Sequence, residues 1–326
     1  MLRLAPILSD HAVLLRHRPI ILRGEARGRV CASFLGENVE TEADGSFELV
    51  LSPRPAGGPY TMRISCGGET ITLDDLYIGD VILLSGQSNM QLKAAETADF
   101  PGIVESDALA RVFHAPRPET GDRFDNQWQA LTVENAGNWS AIGYYLIPLL
   151  RRARGCAVGM VCAYQGAAVI QSFLPPADAR RFTFPKEARH PDHDSELYGS
   201  WNPPAMLYES MLKPIFPFQV SAVVWYQGES NTSPAEGAVY ADMLDALIAA
   251  WRGAYRFPAL PFTVVQINDF DTPFSKDGWK LVQKAQETVA SRTPGVRLVK
   301  ISDLGQHELI HPVNKKAVAE RIFETL

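Results

Sequence analysis

Residues 84–90 read Leu-Ser-Gly-Gln-Ser-Asn-Met and follow directly on the apolar run Val81-Ile82-Leu83-Leu84. A buried strand that ends in glycine and then serine brings a hydroxyl to the edge of a sheet, within reach of a substrate. Gly86 permits a tight turn that a Cβ obstructs. Ser88 then stands where a helix can begin, with backbone N–H groups available to developing negative charge. A serine hydroxyl becomes a nucleophile when a base takes its proton, and histidine is the side chain that titrates near neutrality. Of the seven histidines, His311 follows the last strand-like stretch of the chain. An acid orients such an imidazole; Glu308 and Asp303, both shortly before His311, are the candidates. The developing oxyanion needs donors, here the Ser88 N–H, the Gly166 N–H and a side-chain amide from Gln227 or Asn231.

Each residue also has an ordinary reading. Ser88 is a helix cap, Gly166 a turn, Gln227 and Asn231 loop caps, and His311 a helix-start residue. Their position in the chain argues for more. Ile78–Leu84, Ala157–Tyr164, Val220–Gln227, Pro261–Asn268 and Val296–Ser302 are β-branched or broadly apolar, as strands covered on both faces are. Helical stretches intervene: Ser140–Arg154, Ala235–Trp251 and Trp279–Arg292, with Val313–Leu326 closing the chain. Strand–helix alternation predicts a parallel α/β sheet whose ligands bind at the carboxyl ends of its strands. Ser88, Gly166, Gln227, Asn231 and His311 all follow such ends. The irregular stretches 91–110 and 174–203 are candidate walls of the site.

Before residue 77 the rhythm differs. Short apolar stretches at 20–22, 30–34, 47–51, 60–64 and 70–73 alternate with turn signals at Gly24, Arg27-Gly28, Ala43-Asp44-Gly45, 53–59 and Gly67-Gly68. This predicts a small β-sandwich over residues 1–76, ahead of a catalytic domain over residues 77–326.

The chain has 326 residues, 46% hydrophobic and 21% charged, with a formal net charge of −6. That acidity argues against nucleic acid or an anionic membrane as a partner, and no apolar run is long enough to span a bilayer. The first ten residues carry too short an apolar stretch for a signal peptide, so the expectation is a cytoplasmic location or export with a leader already removed. The four cysteines show no CxxC spacing and are expected to be buried thiols. The sequence carries no signal for an oligomeric state.

The motifs together resemble a known family. Gly79-Asp80-Val81 with Ser85-Gly86-Gln87-Ser88-Asn89-Met90 is similar to the first block of the sialate O-acetylesterase family, carbohydrate esterases of the SGNH-hydrolase superfamily. Trp225-Tyr226-Gln227-Gly228-Glu229-Ser230-Asn231 resembles its third block, and Ile310-His311-Pro312 with Asn314-Lys315 its histidine block. The resemblance extends over nearly the whole chain. It implies a flavodoxin-like three-layer α/β/α domain with a parallel sheet, and removal of acetyl groups from sugar hydroxyls through an acyl-enzyme, without metal or cofactor. Ser88 and His311 then carry the chemistry, with an acetylated carbohydrate as partner and Gln87, Asn89 and Glu229 as substrate contacts. Glu229 reads equally as a buried carboxylate bracing its loop. Two departures stand out. The second block, usually Trp-Gly-Gly-Thr, is Gln165-Gly166-Ala167-Ala168, and Leu309 occupies the position two before the histidine where many members carry an acid. Glu308 takes that role, or Ser88 and His311 act as a dyad with a backbone carbonyl orienting the imidazole.

Rival readings remain at this stage. An acetylxylan or other plant-glycan acetylesterase would use the same residues, whereas a non-catalytic sugar binder would need only the aromatics. His307-Glu308-Leu309-Ile310-His311 matches the HExxH zinc pattern, but that motif requires a continuous helix and Pro312 follows at once. A GxSxG nucleophile elbow fits poorly, with Met90 in its last glycine position and Ser88 after the first strand of its domain.

Overall fold

Val81, Ile82, Leu83 and Leu84 are all buried, with successive side chains on opposite faces of one strand. That strand is the spine of the molecule. The computed structural model describes residues 1–101, 105–116, 126–271 and 276–326. Among these residues twelve strands run in chain order as β1 (Arg3–Leu4), β2 (Val13–Leu15), β3 (Ile20–Phe34), β4 (Glu37–Leu51), β5 (Gly57–Cys66), β6 (Glu69–Gly86), β7 (Asp107–His114), β8 (Trp128–Leu131), β9 (Val158–Tyr164), β10 (Ala222–Tyr226), β11 (Phe262–Val265) and β12 (Val296–Val299). The helices are α1 (Ser88–Gln91), α2 (Ala141–Arg154), α3 (Ile170–Phe173), α4 (Pro176–Ala179), α5 (Pro234–Ala254), α6 (Lys276–Arg292) and α7 (Lys315–Phe323).

The carboxyl half of β6 pairs in parallel with β9 on one side, from Asp80↔Val158 to Gly86↔Tyr164. On the other side it pairs in parallel with β10, from Ile82↔Ala222 to Gly86↔Tyr226. Beyond these lie β7, parallel to β9, and β11 and β12, parallel to β10 and to each other. β8 joins this half antiparallel, along β7. Because β6 comes first in the sequence yet lies between later strands, chain direction across the sheet reverses beside it. A crevice opens at such a point, outside the carboxyl ends of the strands. Val81, Leu83, Val223 and Trp225 face one core with Met243, Leu247 and Trp251 of α5 and Val282 of α6. Ile82, Leu84, Val224 and Tyr226 face the other with Ile142 and Leu146 of α2 and Val318 of α7. Both faces of the sheet are therefore covered, as the apolar runs required.

The β-rich part differs from expectation in its strand lengths. β3 and β4 form one hairpin paired without interruption from Ile20↔Leu51 to Phe34↔Glu37. The glycine signals at 24, 28 and 45 therefore lie inside strands, and the turn is Leu35-Gly36. Gly24 is explained by crowding: a Cβ there would meet the Arg3 carbonyl oxygen at 2.1 Å and the Phe47 ring at 2.7 Å. Glycine in a strand marks such a close approach as readily as a turn. The expected boundary at 76/77 falls within β6, which pairs antiparallel with β5 as far as Ile78, in parallel with β2 over residues 77–79 and in parallel with β9 from Asp80. One hydrophobic cluster holds Leu22, Phe34 and Met62 of the β-rich part together with Trp225 and Trp251.

Strand β7 was not among the expected strands of the parallel sheet. Its polar residues mask its burial. Arg111 is 2% exposed, its guanidinium donating to the carbonyls of His11, Asp75 and Ala108 and to the Asp75 carboxylate. No disulfide is formed, and Cys66, Cys156 and Cys162 are buried. Among the described residues no helix is long and apolar enough to cross a membrane.

Candidate active site

At Gly86 the chain leaves β6 with φ +133°, and a Cβ there would lie 2.0 Å from the Tyr226 carbonyl oxygen. Only glycine accommodates both the conformation and the contact. The bend is tied to both neighbouring strands: the Gln87 N–H donates to Tyr226 O and the Gln165 N–H to Gly86 O. Met90, fully buried, anchors the short helix α1, and Ser88 stands half-exposed at its start.

Ser88 Oγ and His311 Nε2 lie 2.8 Å apart, within hydrogen-bond distance. His311 lies within a run of turns and bends from residue 302 to 311, so the HExxH pentapeptide does not lie on a helix. Its imidazole is held below the ordinary histidine value, first by burial and next by the charge of Lys315, with Glu96 opposing. The ring is therefore neutral near pH 7 and able to accept the serine proton.

The two candidate acids lie elsewhere. Glu308 is exposed and makes no hydrogen bond or ion pair among the described residues. Asp303 is gripped through both carboxylate oxygens by Arg321, and these hydrogen bonds lower its pKa to about 2. No described carboxylate accepts a hydrogen bond from His311.

The amide donors of Gln227 and Asn231, expected at the oxyanion, are spent on buried acceptors. Gln227 Nε2 donates to Ala168 O at 3.0 Å and to Asn231 Oδ1 at 2.8 Å, while Tyr240 OH donates to Gln227 Oε1. Asn231 Nδ2 donates to Gln171 Oε1 and Glu236 Oε1. Both residues are fully buried and brace the segment after β10 against the segment after β9. Gly166, by contrast, lies beside the nucleophile, its N–H available for a partner: a Cβ on Gly166 would be 3.9 Å from Ser88 Cβ. That N–H donates to Gln91 Oε1 at 2.6 Å.

The residues expected at the substrate form the floor instead. Gln87 is buried, accepting from the Gly228 and Ser230 N–H groups and donating to Ser230 Oγ. Asn89 is a hub: its Nδ2 donates to Glu229 Oε1 and to Ile310 O, and its Oδ1 accepts from Lys315 Nζ at 2.6 Å. Glu229 is 3% exposed, with Oε2 unpartnered among the described residues, and burial raises its pKa. Lys315 is fully buried, and burial lowers its pKa to about 7. The sequence places Lys315 in the histidine block without giving it a role, and gives Gln91 none. Lys315 opens a helix as half of a Lys-Lys pair, which reads as a solvated helix start. Gln91 carried one signal, its three-residue spacing from Ser88.

A model of the family described as carbohydrate esterase, sialic acid-specific acetylesterase, matches residues 78–320. Human sialate O-acetylesterase is 26% identical over 322 residues, covering 87% of this chain and 60% of the human protein. The rat protein is 25% identical, covering 85% of this chain and 62% of its own length. The chain thus spans about three-fifths of these relatives. A solved carbohydrate acetylesterase from Xanthomonas citri superposes with a TM-score of 0.88 at 29% identity, covering 100% of this chain and 74% of that one. The family match takes in the nucleophile segment, the segments after β9 and β10 and the histidine loop, so the chain belongs to the sialic acid-specific acetylesterase family of carbohydrate esterases.

Proposed function

We propose that this protein is a carbohydrate O-acetylesterase that removes acetyl groups from sugar hydroxyls through a Ser88 acyl-enzyme. The 2.8 Å contact between Ser88 Oγ and His311 Nε2 carries this reading. In the first half-reaction Oγ attacks the acetyl carbonyl as Nε2 takes its proton, and the sugar oxygen leaves with that proton. In the second, His311 deprotonates water, which attacks the acyl carbon; acetate departs and Ser88 regains its proton. The Ser88 and Gly166 N–H groups are the proposed oxyanion donors. Ser88 and His311 work as a dyad, with the imidazole positioned by the Asn89–Ile310 clamp on its loop in place of a carboxylate.

The substrate class is proposed from the family and from the acetylesterases it resembles. The fold is proposed to be the flavodoxin-like SGNH type over residues 77–326, preceded by a small β-sandwich over residues 1–76. The change from antiparallel to parallel pairing along β6 supports that division. Ser88→Ala tests the mechanism: hydrolysis of p-nitrophenyl acetate is expected to fall to background while thermal unfolding stays unchanged. Retention of activity by this variant overturns the mechanism. Acetate release from a panel of acetylated sialic acid, xylan and xyloglucan identifies the sugar.

A further inference from the structure

Gln91 is three residues beyond Ser88 on α1, and residues three apart share a helical face. Its carboxamide oxygen accepts the Gly166 N–H at 2.6 Å. A Cβ built on Gly166 would lie 3.3 Å from that oxygen and 3.9 Å from Ser88 Cβ. The carboxamide and the nucleophile therefore flank the same side of Gly166. Gln91 is half-buried, and no second hydrogen bond among the described residues fixes its side chain. A carboxamide oxygen is an sp² acceptor like the carbonyl oxygen of an ester, so it fills the same donor.

We propose that Gln91 is a placeholder for the acyl oxygen of the substrate: its carboxamide satisfies the Gly166 N–H in the empty site and withdraws when an ester binds. The proposal rests on the esterase reading above. When Ser88 Oγ attacks, a C–O bond forms, the carbonyl π pair moves onto oxygen, and His311 Nε2 takes the proton. The resulting oxyanion and Gln91 Oε1 then compete for one N–H. Gln91 thereby sets how readily the oxyanion site accepts an acyl group, and a poor carbonyl acceptor fails to displace it.

The test compares wild type with Gln91→Ala, Gln91→Met and Gln91→Glu. It uses p-nitrophenyl acetate hydrolysis and the rate of inactivation by diethyl p-nitrophenyl phosphate, whose phosphoryl oxygen needs the same donors. Removing the competing acceptor in the Ala and Met variants is expected to raise kcat/KM and the inactivation rate about threefold to tenfold. The Glu variant is expected to lose more than about tenfold, because a carboxylate holds the N–H more strongly and repels the oxyanion. Its deficit relative to wild type shrinks as pH falls through the carboxylate range, which a purely structural role does not produce. Met keeps the side-chain length, so the comparison survives if the Ala variant misfolds. A fall in kcat in both the Ala and Met variants, or unchanged kinetics in all three, overturns the proposal. Failure of the phosphate reagent to label Ser88 in wild type overturns the esterase reading itself, which separates the two.

Discussion

The His311 imidazole is held below the ordinary histidine value first by burial and then by the buried cation of Lys315, with the carboxylate of Glu96 opposing. Each of the two lowering causes disfavours the imidazolium, so the acidic limb of a kcat/KM profile is expected below the ordinary histidine value near 6.5. Lys315, with its pKa lowered to about 7, carries its charge through the range in which His311 titrates. Removing that charge with Lys315→Met is expected to move the acidic limb to higher pH, read from the pH–rate profile; a limb that stays in place rejects the electrostatic coupling. Glu308 gives the complementary prediction. It is exposed and without a partner among the described residues, so Glu308→Ala is expected to cost less than about tenfold in kcat/KM, where loss of an orienting triad acid costs about ten-thousandfold. Spacing along the chain makes Glu308 and Asp303 the candidate acids. Spacing within a loop of turns says little about direction, and this loop turns Glu308 to solvent.

At the scale of elements, three junctions place the nucleophile: the Gly86 bend, the α1 turn and the start of α2. Gly86→Ala sets a Cβ 2.0 Å from the Tyr226 carbonyl oxygen in a backbone conformation that side chains rarely adopt. The strand end must shift, and a loss of at least about a hundredfold in kcat is expected, since an ångström of misplacement costs that much. Ser140 has a double role. Its Oγ accepts the Gly143 N–H as the cap of α2 and donates to Met90 O at 2.6 Å on α1. Ser140→Ala is expected to lower unfolding stability by about 1 kcal/mol, measured by chemical denaturation. Gly86 was readable from sequence as a turn because it interrupts an apolar run. The Ser140–Met90 bond was not, because it joins residues fifty apart.

For the molecule as a whole, β6 and Arg111 join the β-rich part to the parallel sheet. Arg111 supplies donors to three backbone carbonyls and to Asp75 across that junction, and its guanidinium lies 4.5 Å from the Tyr77 ring centroid. Arg111→Ala leaves those backbone carbonyls without their Arg111 donor, while the Asp75 carboxylate keeps His11 Nδ1 at 2.7 Å. A loss of about 1–3 kcal/mol in unfolding stability is expected, the range for leaving buried acceptors unpaired. The site lies at the opposite end of β6, so enzyme that remains folded is expected to keep kcat/KM near wild type. A stable variant with lost activity would show instead that the junction shapes the site.

The sequence by itself determined the parallel sheet, its strand-end rim and the pairing of Ser88 with His311. Apolar runs covered on both faces and glycines at strand ends leave few other arrangements. It also carried the residues of the floor, Gln87, Asn89, Glu229, Gln227 and Asn231, but not the direction in which each points. An amide turns toward whichever partners surround it. Those partners here are Tyr240, Ala168, Gln171, Glu236 and Lys315, set by the packing of α3, α5 and α7 and the segments beside them. Only the tertiary structure could decide that the side-chain amides brace the floor and that Gln91 holds the Gly166 N–H. Hydrogen-bond direction depends on neighbours in space, and those neighbours are distant along the chain.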